Sequence, residues 1–434
     1  MPDVEEARSA ALRRLNQEVG TALQVSPDIE AWPRDWAERG QVDYFYKSGS
    51  LLTHDRNAEK VRSALSILGA DDEGDAPDTG LTGPTPGVVQ LRARVRESQR
   101  TPELVAELEE RLGPGIVSHE HAFGITGLFC PATEPEPVLT PQQATEPERV
   151  VEALWPPVGD AGAGRDVVVS VVDTGILKDV ADWAPWLAGV RPDDRRDIEN
   201  PDTISVDSDG RGRDGYADPY AGHGSFVAGV IRCLAPASEI AVERTIGPSG
   251  FVTESDMITQ IHQALRRSPA IISMSAGGYT RHDAPPLGLE TLWRKRLRPL
   301  GVVLVAAAGN EETNRPFWPA AFDWCVGVGS MTRDGQQRSW FSNHGAWVDV
   351  YAPGEDIVNA YPRMKYKTIV DAEVRDTSAG IVKWSGTSFA TPIVSGLIAA
   401  RMSRTGESAR DAAAALLAAA RGQFRPGVGP RLFP

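Results

Sequence analysis

The chain has 434 residues, of which 41% are hydrophobic and 24% charged, the proportions of an ordinary soluble globular protein. This length exceeds that of most single domains, so we expect two folded units, one large and one small. With 45 Lys and Arg against 59 Asp and Glu, the formal net charge is −14, which argues against nucleic acid or an anionic membrane as a partner, since both need basic patches.

The sequence also indicates the cellular compartment and whether disulfide bonds are expected. It contains no apolar run of about 18 residues, so no membrane-spanning helix is predicted. The charged N-terminus lacks the apolar core of a secretory signal, which makes the cytoplasm the expected location; a secreted chain already trimmed of its signal is the alternative. The cysteines, Cys130, Cys233 and Cys325, are odd in number and far apart, which predicts neither a disulfide framework nor a metal site.

Residues 1–130 predict a small α+β domain, with one or two helices over residues 1–40. The order expected after them is β, α, β, α, β, with elements near 42–47, 55–68, 88–95, 102–112 and 121–128. Thr101 followed by Pro102 is a good start signal for the second of these helices. The stretch 70–87, rich in Asp, Gly and Pro, is expected to be a loop.

Residues 131–149 predict an extended linker, because proline, acidic and polar residues dominate there and little is available for burial. The linker separates the N-terminal domain from a larger unit over residues 150–434.

The larger unit predicts an α/β fold with a parallel sheet covered by helices on both faces, since continuous apolar strands alternate with amphipathic helices. The strands are expected at 167–172, 240–243, 270–274, 302–307, 325–329 and 348–351, and the helices at 223–234, 254–267 and 286–297. In such sheets, active groups gather where strands end and helices begin.

Four polar side chains stand at such ends: Asp173 and Asn310 close apolar strands, and His223 and Ser388 open helices. Singly, each has a structural explanation as a turn, a helix start or a cap. Together they supply a hydroxyl, a base to take its proton and an anion to fix the tautomer of that base. The amide of Asn310 and the backbone N–H of Ser388 could together hold a developing oxyanion.

These segments give the chain a clear family resemblance. Asp-Thr-Gly at 173–175, His-Gly-Ser-Phe-Val-Ala-Gly at 223–229, Ala-Ala-Gly-Asn at 307–310 and Gly-Thr-Ser-Phe-Ala-Thr-Pro at 386–392 resemble, in this order, four landmarks of the subtilisin-like serine peptidases, or subtilases. The resemblance covers about residues 150–420.

The resemblance implies a serine endopeptidase acting on extended protein or peptide substrates. It makes Ser388 the nucleophile, His223 the general base and acid, Asp173 the orienting anion and Asn310 the oxyanion donor. The segment 273–278 resembles the substrate-binding strand and pocket wall, and 247–251 the opposite strand of the cleft. The substrate-binding residues expected from the resemblance are Ser249, Gly250, Ser273, Ser275, Ala276, Gly277, Gly278, Ala307 and Gly309.

The chain departs from the family pattern in its expected cofactors. Secreted subtilases commonly carry a calcium loop after the histidine helix, but residues 230–240 leave no room for it. We therefore expect no cofactor. The alternate acidic residues of 207–218 could hold calcium, but two arginines interrupt them and the closing glutamate is absent, which favours a solvated loop.

Three further features have competing interpretations. A hairpin predicted within 361–384 either borders the leaving-group side of the cleft or is a surface elaboration. Glu311 and Glu312 either favour basic substrate side chains or are solvated acids. His119 and His121 flank Glu120 on a strand, where exposed surface imidazoles are favoured over a metal site.

Two alternatives remain for the protein as a whole. The N-terminal domain is either a ferredoxin-like, propeptide-like segment that covers the cleft and is cut off, or a retained regulatory domain. The protein is either an active, selective endopeptidase or a catalytically silent peptide-binding scaffold or regulatory subunit using the same cleft.

Overall fold

The computed structural model describes residues 17–434, except for positions 18, 21, 25, 34, 40 and 370 and the stretches 73–86, 96–99, 125–131, 201–203, 206–212 and 248–249. Cys130, Ser249, most of the predicted loop 70–87 and much of the acidic stretch 207–218 therefore lie outside the described residues. The other two cysteines, Cys233 and Cys325, are buried free thiols.

The N-terminal region packs helices against an antiparallel sheet. Its elements in chain order are β1 (Ile29–Trp32), α1 (Trp36–Arg39), β2 (Tyr44–His54), α2 (Ala58–Leu68), β3 (Val88–Arg92), α3 (Thr101–Leu112) and β4 (Val117–Gly124). One edge of the long strand β2 pairs with β1 and then β3, and its other edge pairs with β4. Apolar residues of α2 and α3, among them Val61 and Leu104, pack on Leu51 of β2.

The five elements predicted from β2 onward are present, with shifted ends, whereas β1 is an additional strand. The final strand ends at Gly124, four residues before the predicted end, and the residues that follow lie outside the description.

The segment predicted as a linker is partly ordered against the larger unit. It contains β5 (Glu136–Pro137) and runs into α4 (Pro147–Ala153). The boundary predicted between residues 149 and 150 falls inside α4. This helix packs on the larger unit, since Val150 is buried in a cluster with Val358 and Ile381.

The larger unit supplies the remaining elements. In chain order they are β6 (Val168–Asp173), β7 (Ile176–Leu177), β8 (Arg191–Pro192), β9 (Ile198–Glu199), β10 (Tyr216–Ala217), α5 (His223–Leu234), β11 (Glu239–Arg244), β12 (Phe251–Thr253), α6 (Glu254–Ala264), β13 (Ile271–Met274), α7 (Leu287–Leu292), α8 (Arg298–Leu300), β14 (Val303–Ala307), β15 (Val326–Met331), β16 (Val350–Pro353), β17 (Ile357–Ala360), β18 (Lys365–Lys367), β19 (Val374–Asp376), β20 (Ile381–Trp384), α9 (Thr387–Thr405) and α10 (Ala409–Gly422).

A seven-stranded parallel sheet organises this unit, in the order β16-β15-β14-β13-β6-β11-β8. Successive residues of its inner strands face opposite sides, as a strand requires. Val171 and Val305 join the core under α5 and α9, whereas Val172 and Leu304 join the core under α6 and α7. The prediction of a parallel sheet covered on both faces is confirmed.

Two smaller sheets border this framework. β20 pairs with β17 on one edge and with β5 on the other, and the hairpin β18–β19 pairs with β10. The hairpin predicted within 361–384 is thus present. Across the described residues, none of the helices combines the length and the apolar content needed to cross a bilayer.

Candidate active site

Asp173 closes the central strand β6 with its side chain buried. Its backbone carbonyl accepts hydrogen bonds from the N–H groups of Thr245 and Ile246 (2.8 and 3.2 Å), which tie the strand end to the neighbouring loop. Its carboxylate Oδ1 accepts from the N–H of Thr174 at 2.8 Å. A buried carboxylate held in this way has a fixed orientation.

His223 begins α5 directly in front of that carboxylate. The preceding residue, Gly222, has a φ of 75°, a left-handed conformation that glycine adopts without steric cost. The imidazole Nδ1 lies 2.7 Å from Asp173 Oδ1, with side-chain exposures of 0% and 1%. Because a carboxylate only accepts, Nδ1 is the protonated nitrogen, which leaves Nε2 as the basic atom.

The close approach of α5 to β6 depends on Gly224. Its N–H donates to Thr174 Oγ1 at 3.0 Å, and a Cβ on it would lie 2.4 Å from the Gly175 carbonyl oxygen. Only glycine therefore lets the helix start sit against the strand end.

Ser388 lies in the first turn of α9 and is fully buried. Its carbonyl oxygen accepts from Ser275 Oγ at 2.8 Å. The His223 ring lies 5.3 Å from the ring of Phe389 and 5.8 Å from that of Trp384, measured between centroids. These contacts bring the serine segment and the imidazole to the same end of the sheet.

Asn310 follows β14 and is fixed by the residue before the serine. Its Oδ1 accepts from both the N–H and the Oγ1 of Thr387, each at 2.9 Å. Thr387 Oγ1 in turn accepts from the N–H of Gly309 at 3.2 Å. With the carbonyl branch of the amide committed to Thr387, the plane of the side chain is set, and Nδ2 is the branch that is left to donate.

A polar network that the sequence analysis missed supports this turn. Asn343 Nδ2 donates to the Ala308 carbonyl oxygen at 2.8 Å, to Tyr279 Oη at 2.9 Å and to Glu311 Oε2 at 3.0 Å. Glu311 Oε2 also accepts from Tyr279 Oη at 2.8 Å and from the N–H of Asn310 at 2.9 Å. Burial and the neighbouring carboxylate hold the pKa of Tyr279 well above its usual range.

The carboxylate of Glu311 therefore holds the loop of Asn310 together, a role not among the two interpretations offered for it. Asn343 was missed because no apolar periodicity points to it. Its only signal in the sequence is a polar residue among small and aromatic ones at 341–345.

Most of the predicted substrate-binding residues fall into two groups. Ser275, Ala276, Gly277 and Gly278 follow the end of β13, and Ala307 and Gly309 lie at the end of β14 and just beyond it. Ser273 instead lies within β13, where its hydroxyl accepts from Ser395 of α9 at 3.0 Å, so its side chain is committed to packing of the sheet against the helix. Gly250 precedes β12.

A strand of the N-terminal region lies between the two strands predicted to bind a peptide. Gly124 and Gly277 exchange two backbone hydrogen bonds of 2.9 and 2.8 Å. On its other edge β4 pairs antiparallel with β12, with Gly124 opposite Phe251 and Phe123 opposite Val252. The five-stranded N-terminal sheet thus ends on a strand of the larger unit.

A buried carboxyl group supports the start of α5. Glu199 accepts from the N–H of Gly222, at 3.1 and 3.3 Å to its two oxygens, and burial raises its pKa to about 8. This carboxyl anchors the turn from which His223 starts. Glu199 could not be singled out from the sequence, because one acid within an acidic loop has no distinguishing pattern.

The expectation that His119 and His121 are exposed is wrong. Their exposures are 1% and 3%, because the sheet face that carries them packs against the larger unit: Tyr44 and Tyr46, whose rings contact His119, form a cluster with Tyr279 and Phe317. The N–H of Arg281 donates to His121 Nε2 at 3.2 Å, and burial lowers the pKa of His121 to about 3. Among the described residues, no group of three or more His, Cys, Asp or Glu side chains is placed to hold a metal ion.

Comparisons with known proteins agree with this geometry. A family model described as the subtilase family matches residues 164–429. The intracellular serine protease of Paenibacillus polymyxa is 30% identical over 273 residues, which cover 59% of this chain and 73% of that protein. The major intracellular serine protease of Bacillus subtilis is 30% identical over 288 residues, covering 62% and 79%.

Among solved structures, fervidolysin from Fervidobacterium pennivorans, titled a keratinolytic enzyme related to subtilisin, superposes with a TM-score of 0.57 at 18% identity. The match covers 89% of this chain and 60% of that one. At this identity, the likeness concerns the fold.

Proposed function

The chain belongs to the subtilase family and is a serine endopeptidase, and we propose that Ser388, His223 and Asp173 perform the hydrolysis with Asn310 as oxyanion donor. The observation that carries this assignment is the buried 2.7 Å contact between Asp173 Oδ1 and His223 Nδ1, at the sheet end where Ser388 begins its helix. Both side chains are sealed from water, so the tautomer they define is maintained.

In the proposed first half-reaction, His223 Nε2 takes the proton of Ser388 Oγ as that oxygen attacks the scissile carbonyl carbon. Asp173 stabilises the imidazolium that results. The imidazolium then gives its proton to the leaving amine, the C–N bond breaks, and an ester to Ser388 remains. Water hydrolyses this ester by the same proton transfers in reverse order, and the free serine is restored.

The oxyanion of each tetrahedral intermediate is proposed to accept hydrogen bonds from Asn310 Nδ2 and the N–H of Ser388. The carbonyl of Asn310 is held by Thr387, so the amide needs no reorientation as charge develops. A donor fixed in advance in a water-excluded site contributes more than one that must first turn into place.

We further propose that the N-terminal region covers the cleft. The pairing of Gly124 with Gly277 and of β4 with β12 supports this, because an extended substrate would need the same backbone groups. We also propose that the enzyme is cytoplasmic and selective, and the likeness to two proteases named as intracellular supports the compartment. Both a cut within residues 128–155 and retention of the region are compatible with this arrangement.

Labelling of the full-length protein with a fluorophosphonate probe tests the assignment. The probe is expected to form an adduct at Ser388, located by peptide mass spectrometry, and Ser388→Ala should abolish it. Ser66→Ala serves as the control, since Ser66 is exposed on α2. A folded protein that does not label at Ser388 even after limited proteolysis has removed the N-terminal region would instead favour a silent peptide-binding scaffold.

Mass measurement of the purified protein over time tests the fate of the N-terminal region. Removal in cis predicts a cut between about residues 128 and 155 that Ser388→Ala abolishes and that is independent of protein concentration. A permanently intact chain that still hydrolyses peptides would establish a retained domain.

A further inference from the structure

The segment after the cleft-bound strand is held on the other side of the serine. Thr133 contacts Ser385, three positions before Ser388: the N–H of Thr133 donates to the Ser385 carbonyl at 3.4 Å, and the N–H of Ser385 donates to Thr133 Oγ1 at 3.1 Å. Trp384 Nε1 donates to the Thr133 carbonyl oxygen at 2.8 Å. Gly124 pairs with Gly277, in the segment predicted to line the pocket for the residue before the scissile bond, so Thr133, later in the same chain, would correspond to the leaving-group side of a bound peptide.

The contact continues as an added strand. β5 pairs antiparallel with β20, with Glu136 opposite Lys383 and Pro137 opposite Val382. The other edge of β20 is already used by β17, so β5 occupies the edge that remains. Strand addition of this kind recognises any extended backbone, and the side chains then supply selectivity.

Two acidic side chains of the segment have polar partners in the larger unit, of which Lys383, the partner of Glu136, is shared with Asp356 at 3.6 Å. Glu134 Oε1 accepts from Tyr366 Oη at 2.8 Å and from the N–H of Ile369 at 2.7 Å, both on the β18–β19 hairpin. Glu136 pairs with Lys383 Nζ at 3.0 Å. Tyr366 is fully buried, so its hydroxyl is held in place toward the carboxylate.

The hairpin also contacts the backbone between these acids, because Arg375 Nη1 donates to the Pro135 carbonyl oxygen at 3.1 Å. Hydroxyl, amide N–H, guanidinium and ammonium donors therefore converge on a Glu-Pro-Glu sequence. A connection that only joined two domains would not need donors matched to each acid.

We propose that β20, Ser385 and the β18–β19 hairpin form a peptide-binding site on the leaving-group side of Ser388, selective for acidic, proline-containing segments. Residues 132–137 occupy it in cis, and the corresponding downstream segment of a substrate takes their place. The selectivity for substrates rests on the proposed hydrolysis at Ser388; the binding of the peptide does not.

Binding is tested without catalysis in the full chain carrying Ser388→Ala. The cis occupant is replaced by Ala132→Gly, Thr133→Gly, Glu134→Gly, Pro135→Ser, Glu136→Gly and Pro137→Ser, which removes the side-chain contacts of Thr133, Glu134 and Glu136. A fluorescent peptide of sequence Ala-Thr-Glu-Pro-Glu-Pro-Val is expected to bind, as measured by anisotropy. The same peptide with Gln at both acidic positions should bind about tenfold more weakly, since bonds to charged groups are lost.

Tyr366→Phe in this background should remove much of the difference between the two peptides. Lys367→Ala is the matched control, because Lys367 is exposed on the same hairpin and faces the Tyr216 ring at 6.0 Å. Equal binding of both peptides, or no binding of either, overturns the proposal.

Hydrolysis provides the second measurement. Two fluorogenic peptides are identical up to the scissile bond, one followed by Ala-Thr-Glu-Pro-Glu and the other by Ala-Thr-Gln-Pro-Gln. Their hydrolysis is compared with the chain that keeps Ser388 and carries the same substitutions at residues 132–137. A higher kcat/KM for the acidic peptide that is reduced by Tyr366→Phe supports the site, and equal values contradict it. If neither peptide is cleaved while the binding difference persists, the proposed function fails and the binding site stands.

Discussion

Replacing Gly224 by alanine should separate Asp173 from His223. The new Cβ would lie 2.4 Å from the Gly175 carbonyl oxygen, whereas ordinary contact begins at 3.4 Å, so the helix start must retreat by 3.4 − 2.4 = 1.0 Å. If that displacement falls along the hydrogen bond, the distance from Asp173 Oδ1 to His223 Nδ1 grows from 2.7 Å to about 3.7 Å, outside the hydrogen-bonding range.

A displacement of this size at a catalytic pair lowers kcat/KM by about 100-fold, equivalent to ~2.7 kcal/mol of barrier. Overpacking of the core should also lower the free energy of unfolding by ~1–3 kcal/mol. The assay is peptide hydrolysis well below the unfolding temperature, with urea denaturation to establish the folded fraction.

Gly229→Ala provides the matched control on the same helix. Its Cβ would lie 2.0 Å from Asn359 Oδ1, a clash almost two turns beyond His223. We expect a comparable loss of stability with kcat/KM reduced only a few-fold. The reasoning is refuted if Gly224→Ala keeps the activity of the unmodified protein, or if both variants lose activity equally.

Three further outcomes are expected. Asn310→Ala should lower kcat by about 10²–10³-fold with little change in KM, since the donor acts on the transition state; an unchanged kcat would remove Asn310 from the reaction. Burial raises the pKa of Glu254 to about 8, so the unfolded chain loses this proton first and the free energy of unfolding falls as pH rises from about 4.5 to 8. Glu254→Gln should flatten this fall in urea midpoints, and Glu290→Gln, at a partly exposed position, should not. Burial lowers the pKa of His121 to about 3, so its contribution to the free energy of unfolding is complete above about pH 6.5 and is lost as pH falls. His121→Gln keeps an acceptor for the N–H of Arg281. This variant should lose less stability than the unmodified protein between pH 6.5 and pH 4.5.

The predicted parts of the fold share one property: their signal is local. The strand ending at Asp173 and the helix starting at His223 were anticipated because apolar runs and a glycine-rich turn identify both ends. The four polar residues could be grouped because ends of parallel strands meet at one edge.

The parts that were missed depend on contacts between distant segments. Glu199 and Asn343 are recognisable only once their hydrogen-bond partners, in other loops, are in place. The burial of His119 follows from the packing of its sheet face against Tyr279 and Phe317 of the larger unit, a long-range contact that no periodicity in either segment reveals. The order of residues 132–137 has the same origin, since their composition alone describes an unstructured chain.

The position of Gly124 between Gly277 and Phe251 has a consequence for the conformation of anything that replaces it. Adjacent strands lie about 4.8 Å apart, so a strand paired on both edges occupies a slot about 10 Å across between its neighbours. An α-helix with side chains is about 10–12 Å wide and keeps its N–H and C=O groups bonded internally, so it can neither fit this slot nor satisfy its edges. Such a slot selects a peptide by its extended backbone conformation before it selects by side chain. A folded helical protein would enter it only after one of its segments has unfolded.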